Sequence, residues 1–203
     1  LFKFSIVTAV YNVEAYLSEA IDSILSQDIG FLESVELILV DDGSTDASGA
    51  ICDEYQHKYP GNIVVIHKPN GGVASARNAG IAVARGRYVN FMDSDDKLTP
   101  DTLSSVYDFF IEHDKEVDLV SVPIFYFEQK NEPHRLNYKY ASDKAQVIDL
   151  TTHYSYVQMS SASAFFKREV LNDHTFDTSL RYAEDSKAIM ELLLENPQYG
   201  IVP

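Results

Sequence analysis

At 203 residues, with 45% hydrophobic and 12% aromatic side chains, the chain can bury one good core, which excludes a disordered or fibrous class. Its 16 basic residues against 31 acidic ones give a net charge of −15, which argues against nucleic acid and anionic membrane surface as partners. Cys52 is the only cysteine, so no intrachain disulfide or cysteine-rich zinc site can form, as expected of a reducing compartment. No apolar run approaches the ~20 residues needed to span a bilayer, and Leu1-Phe2-Lys3 leads into a strand rather than a signal peptide, so this stretch reads as soluble. The sequence lacks an initiator Met and halts at Gly200-Ile201-Val202-Pro203 in what reads as mid-structure, so a longer parent protein is expected.

Phe4 to Val10 is an apolar run of strand length, closed by Tyr11-Asn12, with Asn12 a candidate N-cap for the next element. Tyr16, Leu17, Ala20, Ile21, Ile24 and Leu25 recur at helical spacing, which predicts a helix over Val13 to Ser26. Val35 to Val40 is a second buried strand, followed by Asp41-Asp42-Gly43-Ser44-Thr45-Asp46, a tight strand-to-helix turn with Ser44 or Thr45 as cap. A second helix runs to about Tyr59 and stops at Pro60-Gly61. Ile63 to His67 is strand three, and the small residues of Lys68 to Gly80 form a loop and helix fit for close approach to a backbone or ligand. A lone Arg77 and Asn78 among Ala and Gly are odd for packing alone.

Tyr88 to Phe91 is strand four and ends in Asp93-Ser94-Asp95-Asp96. Carboxylates at a strand's C-terminal end lie where open α/β sheets bind ligands, and Asp93 and Asp95 could aim oxygens at one Mg²⁺ or Mn²⁺. Acidic clusters also decorate turns and helix N-termini, so the triplet alone leaves both readings open. Thr99 and Pro100 are expected as N-cap and first-turn residues of a helix whose buried stripe is Leu103, Val106, Tyr107, Phe110 and Ile111. Asp118 to Val122 reads as strand five. Beyond Pro123 the rhythm breaks into short strands and turns around Phe125-Tyr126-Phe127, Lys130-Asn131-Glu132-Pro133 and Asn137-Tyr138-Lys139-Tyr140, where substrate-specific variation is expected. Ser160 to Lys167 is a strand, Arg168 to Leu171 a short helical turn, and Glu184-Asp185 opens an amphipathic helix ended by Asn196-Pro197.

Strands alternating with helices predict an α/β fold, a single mostly parallel sheet with helices on both faces and a smaller region after residue 123. Its parallel strand ends bring Asp42, the Asn70 to Arg77 segment and Asp93/Asp95 to one crevice. The motifs Phe4 to Asn12, Val40 to Asp46, Asn70-Gly71-Gly72 with Ala76-Arg77-Asn78-Ala79-Gly80, Phe91 to Asp96, and Glu184-Asp185 then occur in order. With these the chain resembles the inverting, nucleotide-sugar-dependent family 2 glycosyltransferases of the GT-A fold.

The resemblance implies a catalytic domain over 1–203, with 1–122 binding the nucleotide sugar and 123–203 facing the acceptor. Ala9 and Tyr11 would bed the base, and Asp42 would accept the N3–H of uracil, which points to a UDP-sugar. Asn70, Gly72 and Arg77 would lie near the ribose and diphosphate, Asp93 with Ser94 beside the ribose, and Asp95 on a Mn²⁺ or Mg²⁺, with Asp93 a possible second ligand. Asp185 would be the base and Glu184 the alternative base, although both also suit the first turn of a helix. The acceptor would be a hydroxyl of a cell-surface polysaccharide, glycolipid or teichoic-acid-type polymer. The location would be cytoplasmic, at the inner face of the membrane through parts outside this stretch. Ala9 stands where many relatives have Pro, and the later His that often completes the metal site has no counterpart before Pro203. His57, His67, His113, His134, His153 and His174 show no metal-ligand spacing and read as surface or structural. Against this stand a nucleotidyltransferase, which would need a Gly-rich basic loop after strand one that Tyr11-Asn12-Val13-Glu14 lacks, and a non-catalytic binding module, against which the intact acids argue.

Overall fold

The computed structural model describes residues 1–127, 144–153 and 159–203. The segments expected around Lys130 to Pro133 and Asn137 to Tyr140 lie outside them, as does His134.

The strands are β1 (Phe4–Val10), β2 (Val35–Asp41), β3 (Ile63–His67), β4 (Tyr88–Phe91), β5 (Leu119–Ser121), β6 (Gln146–Asp149), β7 (Ala164–Lys167) and β8 (Gln198–Ile201). Among the described residues they form one sheet in the order β3-β2-β1-β4-β7-β5-β8-β6. The β1–β4 half is parallel, whereas β7 inserts antiparallel between β4 and β5, and β6 closes the far edge antiparallel to β8. Parallel pairing puts the C-terminal ends of β1 to β4 on one edge, where the acidic motifs follow.

The helices are α1 (Leu17–Leu25), α2 (Phe31–Ser34), α3 (Ser48–Lys58), α4 (Val73–Val83), α5 (Thr102–Glu112) and α6 (Glu184–Glu195), with a 3₁₀ turn at Arg168–Asn172. Two cores follow from the period-two alternation of the strands. Phe4, Ile6, Leu37, Leu39 and Tyr88 face α1, α3 and α5, while Val7, Ile38, Val40, Val89 and Phe91 face α4 and α6. Tyr88 stacks on Phe110 with centroids 4.1 Å apart, fixing α5 over the sheet.

Several local expectations change. Asn12 is no N-cap: it takes φ 53, its side-chain oxygen accepts the Thr45 N–H at 2.8 Å, and a turn from Val13 leads into α1 at Leu17. The cap at α3 is neither Ser44 nor Thr45. Asp46 accepts the Ser48 N–H at 2.9 Å, and Ser44 instead receives the Asn12 N–H. Helix α5 starts at Thr102 rather than at Pro100, because the Thr99 and Pro100 carbonyls are turned out to Gln27 and Asp28 at the end of α1. Short α2, β6 and β8 were not expected from the sequence: four residues each carry too little periodicity to signal an element.

Candidate active site

Asp42 leaves the end of β2 with its side chain buried. Its carboxylate accepts the N–H of Gly71 at 3.0 Å and of Gly72 at 2.8 Å, and pairs with Lys68 Nζ. Gly43 permits this approach: it takes φ 81, and a Cβ there would come within 2.9 Å of Asn70 N. Asp42 thus sits at the N-terminus of α4, where the exposed N–H groups of a helix favour an anion, while Asp46 serves α3. Ala9, Tyr11, Asp42, Asn70, Gly72 and Ser94 line one cleft of about 350 Å³, with Val10, Val73 and Ala76 as its apolar wall. Arg77 and Asp93 are not among the lining residues.

Arg77 lies behind that wall, 6% exposed, on α4. Its Nη1 donates to Glu184 Oε1 at 2.9 Å and its Nη2 to Asp93 Oδ1 at 3.0 Å, and the guanidinium lies 5.3 Å from the Phe176 ring centroid. Neighbouring Asn78 grips the backbone of Phe176 from both sides, donating to its carbonyl at 2.8 Å and accepting its N–H at 2.9 Å. Glu184, the alternative base, is therefore buried and paired. Asp185, one residue on, accepts its own helix's Ser186 N–H at 2.7 Å.

The acidic triplet is crowded. Burial pushes the Asp93 carboxyl up despite the guanidinium of Arg77, with Asp95 and Asp185 adding repulsion. Burial, then the charges of Asp93 and Asp95, push Asp96 up to about 6. No group of three His, Cys, Asp or Glu is arranged to hold a metal among the described residues. These acids fit a divalent cation taken on one or two carboxylates and completed by phosphate oxygens, the habit of Mg²⁺. A larger groove of about 420 Å³ shares Asp96 and runs between Met92, Leu98 and Val122 to Val202.

Residues 5–175 match the family model described as Glycosyl transferase family 2. The chain belongs to glycosyl transferase family 2. Over 201 residues this family 2 chain is 42% identical to the minor teichoic acid biosynthesis protein GgaB of Bacillus subtilis, covering 99% of the chain and 22% of GgaB. It is 37% identical over 202 residues to GgaA of the same organism, covering 98% of the chain and 45% of GgaA. Its fold is similar to the crystal structure of S. aureus TarS 1-349 in complex with UDP-GlcNAc, with TM-score 0.85 and 28% identity over 99% of the chain and 56% of the TarS chain. The family 2 chain thus spans less than two thirds of each of these relatives. The expected GT-A fold, a single sheet flanked by helices on both faces, is borne out.

Three contributors to this family 2 site escaped the sequence reading. Lys68 stands directly after β3, a position that could have suggested reach to the β2 edge. Phe176 belongs to no periodic segment. Ala183 takes φ 63 immediately before Glu184, and nothing in Tyr182-Ala183-Glu184 signals a left-handed turn.

Proposed function

We propose that this chain is the catalytic domain of an inverting glycosyltransferase that moves a sugar from a UDP-sugar to a hydroxyl of a cell-envelope polymer, teichoic-acid type above all. The observation that carries the reading is the single cleft in which Ala9, Tyr11, Asp42, Asn70, Gly72 and Ser94 meet. Likeness to TarS solved with UDP-GlcNAc supports the donor class, and identity to GgaB and GgaA supports the polymer. In this reading residues 1–122 hold the donor and 123–203 face the acceptor. Cys52 as the only cysteine suits the reducing cytoplasm, and no helix among the described residues is long and apolar enough to cross a membrane.

Ala9 and Tyr11 bed the base, and Asp42, an acceptor preset by Lys68 and two backbone N–H groups, meets an N–H of a pyrimidine such as uracil. Ser94 and Asp93 flank the ribose. Asp185 takes the proton of the acceptor hydroxyl as its oxygen bonds to the anomeric carbon. The bond to the diphosphate breaks on the opposite face, so the centre inverts. A positioned carboxylate contributes roughly 10²–10⁴-fold in this way. Asp95, with Asp93 beside it, would hold Mn²⁺ or Mg²⁺, which supplies charge neutralisation to the departing nucleoside diphosphate. Arg77 acts on the site through Asp93 and Glu184 rather than from the cleft wall.

The test is calorimetric titration with UDP, with and without Mn²⁺, on the wild type and Asp95→Ala. Metal-enhanced binding lost in Asp95→Ala is expected. Absence of any UDP binding would reject the donor assignment.

A further inference from the structure

We propose that Glu184 is a positioning residue: by engaging Arg77 of α4 it holds the left-handed turn at Ala183 and so aims Asp185 toward the donor cleft. This rests on the reading of Asp185 as the base. Ala183 takes φ 63 and ψ 21, a strained conformation for a residue with a Cβ, and its carbonyl accepts the Lys187 N–H at 3.0 Å to begin α6. Such strain persists where surrounding contacts over-determine it, and here they do. Glu184 is 7% exposed, and its Oε1 takes Arg77 Nη1 at 2.9 Å. Upstream, Asn78 clasps the Phe176 backbone at 2.8 and 2.9 Å, and the Phe176 ring packs edge-on against Phe91 at 4.8 Å.

The segment from Phe176 to Glu184 is thereby pinned at both ends to two consecutive side chains of α4. The same Arg77 reaches Asp93 at the end of β4, so one guanidinium ties the helix bearing Asp185 to the strand bearing the acidic triplet. The Glu184 carboxylate is buried and turned onto Arg77, so it is not placed to meet an acceptor hydroxyl. Glu184 therefore acts through geometry, and Asp185 through chemistry.

Glu184→Gln keeps the volume and removes the charge. UDP affinity, read by calorimetry, is expected to stay nearly unchanged. Turnover of saturating UDP-N-acetylglucosamine or UDP-glucose, read as UDP release, is expected to fall about 10²-fold, the scale of a misplaced catalytic group. Amide exchange over 177–187 is expected to quicken. Adding Ala183→Gly, which adopts the turn without strain, is expected to restore roughly tenfold of the loss. If Glu184→Gln does not fold, Glu184→Asp, which keeps the charge but draws it back from Arg77, gives the same readouts. Unchanged turnover, or a loss of turnover that Ala183→Gly does not rescue, would overturn the proposal. Should the wild type turn over neither sugar, the functional reading fails, and amide exchange alone decides: quickened over 177–187 it supports the ion-paired turn, unchanged it refutes it.

Discussion

The carboxylate of Asp42 and the backbone N–H of Gly72 meet at 2.8 Å, so the residue expected to read the nucleotide base also fastens the loop that walls its cleft. Lys68 completes the arrangement, tucked at the base of the same loop with its ammonium on Asp42 and on the Pro69 carbonyl at 2.9 Å. In the proposed reading, recognition and loop order share one anion.

Replacing Lys68 with Met removes a charge-assisted hydrogen bond from a buried carboxylate while keeping the stem. Such bonds contribute about 1.5–3 kcal/mol, so UDP affinity should weaken by roughly tenfold or more in calorimetry. Equal affinity would mean that the ammonium plays no part in ordering the loop.

His67 joins two carboxylates at the end of β3, with Nδ1 2.8 Å from Asp41 Oδ2 and Nε2 3.0 Å from Asp53 Oδ1. The hydrogen bond to Asp41, then that to Asp53, raise its pKa above the ordinary 6.5. A raised folded-state value means that this stability is fully present below pH 6.5 and is lost as pH rises through the folded-state value. Burial alone would raise Asp41, but hydrogen bonds from Ser44 and His67 outweigh it and hold its carboxyl below 3.8, so that contribution is lost only in acid. The melting-temperature difference between wild type and His67→Gln should be largest near pH 5–6 and shrink toward pH 9, whereas a difference that grows with pH would contradict a raised His67 pKa.

Gly80 carries α4 onto β1. A Cβ there would meet Val7 Cγ1 at 2.3 Å, so Gly80→Ala cannot collect the usual gain of alanine in a helix. Overpacking of this kind costs about 1–3 kcal/mol, to be read from denaturant midpoints. Because α4 also bears Arg77 and Asn78, turnover of the UDP-sugar should fall along with stability. A stabilised variant would contradict the packing.

Much of this was legible in sequence. Phe4–Val10 and Ile63–His67 coincide with the expected strands, since an apolar run bounded by polar turn residues has few alternatives. Asp42, Asn70, Gly72 and Ser94 converge because parallel strands place their ends on one edge, a consequence of topology that periodicity already implied. Arg77 was singled out because no packing role suits an isolated Arg among Ala and Gly. What periodicity could not carry was its partner. Glu184 lies 107 positions away, and the αL turn that presents it rests on Ala183, a residue with no preference for that conformation. The insertion of β7 between β4 and β5 was hidden for a related reason: four residues, Ala164–Lys167, pair antiparallel with strands whose sequence neighbours are elsewhere.

Turnover of a UDP-sugar by Asp185→Asn, measured beside UDP titration of the same variant, decides whether Asp185 is the base. Loss of turnover by about 10²–10⁴-fold is expected, with UDP affinity nearly unchanged, as befits a group that acts only on the acceptor's proton. Full turnover in Asp185→Asn, or loss of UDP binding in place of turnover, would contradict that role.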